Sequence, residues 1–211
     1  MDWIIKYSEV DNAFGEVIAS THENFTVRAY KPWYENTPEY GSIIVVNCEQ
    51  LLIIGLVYGS KMETEPGFPT PILLKRMRKD IERDFAGIMD NIMDVYNALS
   101  IGFYSNQAIF QRRPPRKPII HDPAFIPSRE FIREFYFSTG SLRVDYLPTL
   151  FRSLSSPIPL LEAHFTYISQ HLERGEVVEF IKGVIKPFQE LDMENEAIIV
   201  KRIASKNLLK S

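Results

Sequence analysis

From Gly15 the chain reads GEVIASTH and then NFTVRAYK, and in the second stretch Phe25, Val27 and Ala29 alternate with Thr26, Arg28 and Tyr30. A period of two marks a strand with one buried face, so strands are predicted to open at Gly15 and at Asn24 with polar turn material between them. Two further apolar runs follow, YGSIIVVNCEQ and LLIIGLVYGS, joined by the polar stretch from Asn47 to Gln50. Four such runs in about fifty residues predict a small sheet that curls or closes into a barrel. Gly15, Gly41 and Gly55 fall at strand starts or middles, where a missing side chain permits a bend, a bulge or close packing.

The pattern then changes twice. METEPGFPTP is a loop by its prolines and glycine. Beyond it Leu73, Met77, Ile81, Phe85, Ile88 and Ile92 recur at spacings of three and four, which predicts an inserted helix near 72–92 with one apolar face. YNALSIGFYSNQAIFQRR returns to β character and supplies the strands that close the barrel. Prolines then crowd positions 113–127, and the remainder reads as helices. Ser128 is placed to cap REFIREFYF and Asp145 to cap YLPTLFRSL. Pro159 opens LLEAHFTYISQHLERG, with Gly175 as its C-terminal stop. EVVEFIKGVIKPF and ENEAIIVKRIASKNLLK complete the set, although residues 196–204 fit a strand as well as a helix. The expected fold class is therefore α+β. A small closed or partly open N-terminal barrel of about six strands, with one inserted helix, occupies 1–120, and an all-α domain occupies 121–211.

Composition narrows the setting. No apolar run approaches the length of a membrane span, and the N-terminal MDWIIKYSEVD lacks the features of a secretory signal, so a cytoplasmic location and no membrane partner are expected. Cys48 is the single cysteine, which excludes an internal disulfide and any multi-cysteine zinc site. A small buried residue on a strand is the reading for it. The net charge of −3 is unevenly spread: residues 1–65 hold four basic groups against ten acidic ones, whereas 66–123 hold nine against six. The front is acidic and the middle basic.

Candidate chemistry is sparse. Neither the Walker-type G-x-x-x-x-G-K-[ST] loop nor G-x-G-x-x-G occurs, and G-x-S-x-G is missing too, so the common ATPases, dinucleotide enzymes and serine hydrolases are not indicated and no cofactor is implied. His22 reads as a turn residue and His121 as part of the proline stretch beside Asp122. His164 and His171 stand seven apart on one predicted helix, where zinc-binding pairs usually stand four apart. Asp90 and Asp94 are one turn apart if both are helical and would suit Mg²⁺; a solvated face balanced by Lys79 and Arg83 is the alternative. What remains is basic: KRMRK, with Lys75, Arg76 and Lys79, and RRPPRK, with Arg112, Arg113, Arg116 and Lys117. Phe103, Tyr104 and Phe110 lie near enough in sequence to offer stacking faces to nucleic-acid bases. Trp33 and Tyr34 in KPWYENTPEY are candidate anchors for a protein partner, or a cover for the barrel's end.

Taken together, FGEVIAS, ENFTVRAYK, PEYGSIIVV and LLIIGLVYGS, with the later SIGFYSN and PPRKPIIHDP, resemble the HAS-barrel family. That is the small barrel at the N-terminus of HerA-type DNA translocases and, in related form, of rotary ATP synthase subunits. The matching elements are Gly15 with Val17, Phe25 with Val27, Gly41 before a β-branched run, and Ile54 to Val57. The resemblance covers about residues 12–123 and implies a barrel acting as an assembly module without the ATPase motor. Its implied partner is a protein, such as an ATPase or nuclease of DNA processing, or a second copy of the chain. No catalytic residue carries over. The expected function is thus a non-enzymatic adaptor. A nucleic-acid-binding protein using the basic segment 75–117 is the alternative, and a metal-dependent nuclease using the helix carboxylates is the third reading.

Overall fold

The computed structural model describes residues 2–31, 37–68, 73–85, 87, 91–138 and 140–209. Seven strands form one antiparallel sheet: β1 Gly15–Ser20, β2 Asn24–Ala29, β3 Ile43–Asn47, β4 Leu52–Thr64, β5 Ile92–Ser105, β6 Ala108–Phe110 and β7 Pro123–Phe125. Their order is β2-β1-β7-β3-β4-β5-β6, and β2 also pairs with β5. Six strands therefore close into a barrel, with β6 folded back on β5 as an extra strand. The α+β class and the N-terminal barrel are as the sequence pattern predicts.

Strand patterning decides what lies on each side of the wall. Val17, Phe25, Val27, Ile44, Val46, Ile53, Val57, Ala98 and Ala124 form one apolar cluster to which all six barrel strands contribute, so it fills the interior. The alternate residues Ile43, Val45, Leu52, Ile54, Leu56, Leu99 and Ile101 belong to a second cluster shared with the helices. Strand β3 and the first half of β4, Leu52 to Val57, are thus buried on both faces, which is why IIVV and LLIIGLV are unbroken apolar runs. β2 is covered on one face only and keeps its alternation. Gly55 points inward, where a Cβ would stand 2.4 Å from the ring of Phe25. The interior is filled because Phe25 occupies that space.

The helical half packs on the outer wall. It comprises α3 Arg129–Phe137, α4 Leu147–Ser153, α5 Pro157–Ser169, α6 Arg174–Gly183, α7 Lys186–Gln189 and α8 Glu194–Leu208, following α1 Trp3–Lys6 and α2 Arg78–Asp84 earlier in the chain. Ser128 caps α3 by accepting from the Phe131 N–H. Residues 196–204 are helical. Short α1 joins this half as well: Trp3 meets Phe131 edge-on at 5.1 Å and donates to Glu134 at 2.9 Å.

Four local expectations are revised. The inserted helix runs over Arg78–Asp84, the backbone is helical again at Gly87, and Ile92 already belongs to β5, where Thr64↔Ile92 and Met62↔Asp94 are paired. Long-range pairing with β4 overrides the helical spacing at that end. Asp145 makes no cap: Tyr146 occupies the N-cap position of α4, and Asp145 pairs with Arg143 instead. Gly175 lies in the first turn of α6, because α5 ends at Ser169 and a capping box of Glu173 and Glu176 starts the next helix. Finally, the proline stretch, which the pattern sets between strands and helices, also supplies a strand. It runs back along β1 and contributes β7, which pairs with both β1 and β3 and completes the barrel. Pro123 is tolerated there because it is the strand's first residue.

Candidate functional site

Among the described residues, two buried polar points join the barrel to the helices that follow it. In the first, β5 and β6 are linked by a tight turn at Asn106 and Gln107, both with positive φ as a type I′ hairpin requires. The turn delivers Gln111, which is 4% exposed, to the helices. Its Nε2 donates to Phe135 O at 2.8 Å and Arg143 O at 2.9 Å, and its Oε1 accepts from Asp145 N at 2.8 Å. The position where RRPPRK begins is thereby fixed.

The second point is His164 on α5, fully enclosed. Its Nδ1 donates to Gly41 O at 2.7 Å, because a carbonyl can only accept. The neutral ring then presents Nε2 as an acceptor, and Tyr146 Oη donates to it at 2.6 Å. Tyr136 Oη lies 3.0 Å from both Tyr146 Oη and the same Nε2, and donates into the pair. Every polar atom is satisfied. Burial pushes the His164 pKa down to about 4, partly opposed by the Gly41 hydrogen bond, and the same burial raises both tyrosines. His171, seven residues on, is part-exposed and shifted down chiefly by burial, with Arg129 adding to it. The two histidines share no site.

Beyond Gln111 the basic stretch is ordered by its own side chains. Arg112 lies over the rings of Phe110 and Phe103, at 5.2 and 5.8 Å. Arg113 pairs with Glu23 at 2.6 Å. Pro114 and Pro118 are buried, and Ser20 Oγ donates to Pro118 O at 2.6 Å. Arg116 and Lys117 stand exposed between those two anchors. His121 takes φ +77 and lies 3.2 Å from Glu16.

Facing this stretch, Thr149, Arg152 and Ser153 occupy one side of α4 by their three- and four-residue spacing. Between the two lies a cavity of about 450 Å³, walled by Glu23 and Leu99, Ser100 and Ile101 of the barrel, Gln111, Arg112 and Arg113, and Tyr146, Thr149, Arg152 and Ser153. Three guanidinium groups and one carboxylate border it. Ser100 is 7% exposed, and its Oγ is the one enclosed side-chain polar atom without a partner among the described residues.

The other candidates lie elsewhere. Lys75, Arg76 and Lys79 sit on the excursion that leaves β4 at Thr64 and rejoins β5 at Ile92. The Arg28–Glu65 ion pair marks that end of β2, whereas Glu23 and Arg113 mark the opposite end, so the two basic stretches do not form one surface. Phe103 and Tyr104 are buried, and Phe110 stacks on Phe103 at 4.9 Å beneath Arg112; none offers an open stacking face. Asp94 is a buried strand residue that accepts from Tyr96 Oη at 2.7 Å, and so it cannot share a helix face with Asp90, which lies outside the described residues. No group of three or more His, Cys, Asp or Glu among the described residues is placed to hold a metal ion. Cys48 is part-buried just past β3, with its thiol pushed up by burial and by Asp122. Trp33 and Tyr34 lie outside the described residues. Their flanking Lys31 and Thr37 line a separate cavity of about 510 Å³ with Phe14, Tyr30 and Ile126. Among the described residues, no helix is long and apolar enough to cross a membrane.

Ser100 and Arg152 are the residues that sequence reasoning missed. One sits in an ordinary strand and the other in a short helix fifty residues on, and no motif links them. The chain matches no protein-family model and no curated protein.

Proposed function

We propose that the protein is a non-enzymatic adaptor: a rigid barrel-and-helix body that docks a protein partner through the β4–β5 excursion. The observation carrying this reading is the exposure of large apolar side chains on that excursion. Leu73 and Met77 are 88% and 76% exposed, and Phe68, earlier on the same excursion, is 47% exposed. Ile81 and Phe85 are part-buried. Large apolar side chains left exposed by their own chain suit burial in another surface.

Charge sets the partner's chemistry. Arg76 and Arg83 are held by Asp84, while Lys75 and Lys79 remain exposed beside Leu73 and Met77. The complementary surface is an apolar groove rimmed by carboxylates. Within that reading, the HAS-barrel resemblance nominates an ATPase or nuclease of DNA processing, and the acidic first 65 residues nominate a second copy of the chain.

Burying two such side chains is worth roughly 3–6 kcal/mol, so a Leu73→Asp/Met77→Asp chain should bind its partner roughly 100-fold or more weakly. The test is affinity capture from native extract together with sedimentation of the purified chain. A stoichiometric partner or dimer that the double variant loses, at unchanged circular dichroism, supports the proposal. Absence of both complexes, or capture indifferent to the double variant, removes it.

A further inference from the structure

We infer that the cavity between β5 and α4 is a binding site for a small phosphate-bearing ligand, held by Arg112 and Arg152. The site is independent of the docking excursion, which leaves the barrel at the other end of β2. Two observations converge on it. The first is a charge imbalance in a concave place. Arg112, Arg113 and Arg152 border one cavity of about 450 Å³, and the single carboxylate there, Glu23, is taken by Arg113. Neither Arg112 nor Arg152 meets a carboxylate among the described residues. Convergence of like charges is unfavourable unless an anion sits among them, and a guanidinium fork matches phosphate oxygens in pairs.

The second is shape. The volume lies within the range of small-molecule pockets, roughly 300–1,000 Å³. A nucleic-acid strand needs basic groups spaced along a track and aromatic faces for its bases. Here Phe103 and Phe110 are stacked on each other and covered by Arg112. Thr149 and Ser153 flank Arg152 on the exposed side of α4 and add hydroxyl donors, which suits the several oxygens of a phosphate. Because the cavity has barrel on one side and helices on the other, its ligand would fasten one to the other.

The experiment is calorimetric titration of the full chain, at fixed ionic strength, with inorganic phosphate, glucose 6-phosphate, adenosine monophosphate and a short single-stranded oligonucleotide. The expected result is millimolar or tighter binding of at least one of the first three. Arg152→Ala should weaken it by about tenfold or more, since Arg152 is exposed and its loss leaves the core intact. Ser100→Ala, which changes the barrel side of the same wall, should leave the affinity unchanged. Tighter binding of either ester than of inorganic phosphate assigns an organic phosphate; equal binding assigns free phosphate. The inference is overturned if none of the three binds, if Arg152→Ala leaves the affinity unchanged, or if only the oligonucleotide binds.

Discussion

His164→Ala should lower the unfolding free energy by roughly 4 kcal/mol or more, making it one of the most damaging single changes in the chain. The substitution removes an imidazole from a fully enclosed place and leaves Gly41 O without its donor and Tyr146 Oη without its acceptor. Cavity formation and two unsatisfied buried groups each contribute at the level of 1–3 kcal/mol. For a chain of this length that corresponds to a fall in Tm of roughly 10 °C. The same residue imposes a pH dependence. The folded ring titrates near 4, whereas an unfolded histidine takes up its proton near 6.5. Between those values the unfolded state binds more protons, so the stabilisation present above pH 6.5 is lost as pH falls towards 4. It amounts to about 3 kcal/mol. Urea unfolding from pH 7 to pH 4.5 checks this, with His164→Gln as the non-titrating control. The wild-type curve should fall more steeply than the control by up to one proton's worth. Parallel curves would show that His164 is protonated without penalty in the folded chain.

How much of this was legible beforehand depends on whether the deciding interaction is local. Alternation in NFTVRA and the unbroken runs at Ile43 and Leu52 are written into neighbouring residues, and they gave the barrel. Ser128 and the prolines likewise act within a turn of where they stand. The helix expected near 72–92 shows the limit: its apolar spacing continues smoothly to Ile92, yet the last residues pair with β4, a partner some thirty positions earlier. β7 was hidden for a related reason. Its three residues, Pro123–Phe125, sit in a segment whose prolines argue for a linker, and only the vacancy between β1 and β3 makes them a strand.

The candidate site was legible only in half. Arg112 and Arg113 stand out as charges in sequence. Ser100, Thr149 and Arg152 do not, since each is an unremarkable residue of its own element until β5 and α4 are brought face to face. The spacing of His164 to His171 is visible along the chain and raises the question of a metal site. The real partners of His164 come from Gly41, Tyr136 and Tyr146, the first of them 123 positions away. Polar groups that join distant segments leave no periodic trace, which is why both junctions between barrel and helices, at Gln111 and at His164, had no signal in the sequence.

Gly41→Ala should cost as much as the loss of His164, and by acting on the same junction. Gly41 has φ +85, where an L side chain is strained by about 1 kcal/mol. A Cβ there would also stand 2.6 Å from His164 N and 2.8 Å from Ala163 C, both backbone atoms of α5. Backbone cannot swing aside as a side chain can, so α5 must withdraw from the barrel. That withdrawal stretches the His164 bond to Gly41 O and opens the apolar contact behind it; the expected loss is more than about 3 kcal/mol. Gly140 provides the comparison, because its φ is also positive, at +73, but a Cβ there meets nothing within 4 Å. Gly140→Ala should therefore show the backbone strain alone, about 1 kcal/mol. The two effects are separated by urea unfolding of both variants. A double-mutant cycle of Gly41→Ala with His164→Gln then asks whether they share one cause. If α5 is the common element, the double variant loses markedly less than the sum of the two. A Gly41→Ala cost no greater than that of Gly140→Ala would mean that the helix yields freely, and that barrel and helices are not clamped at this point.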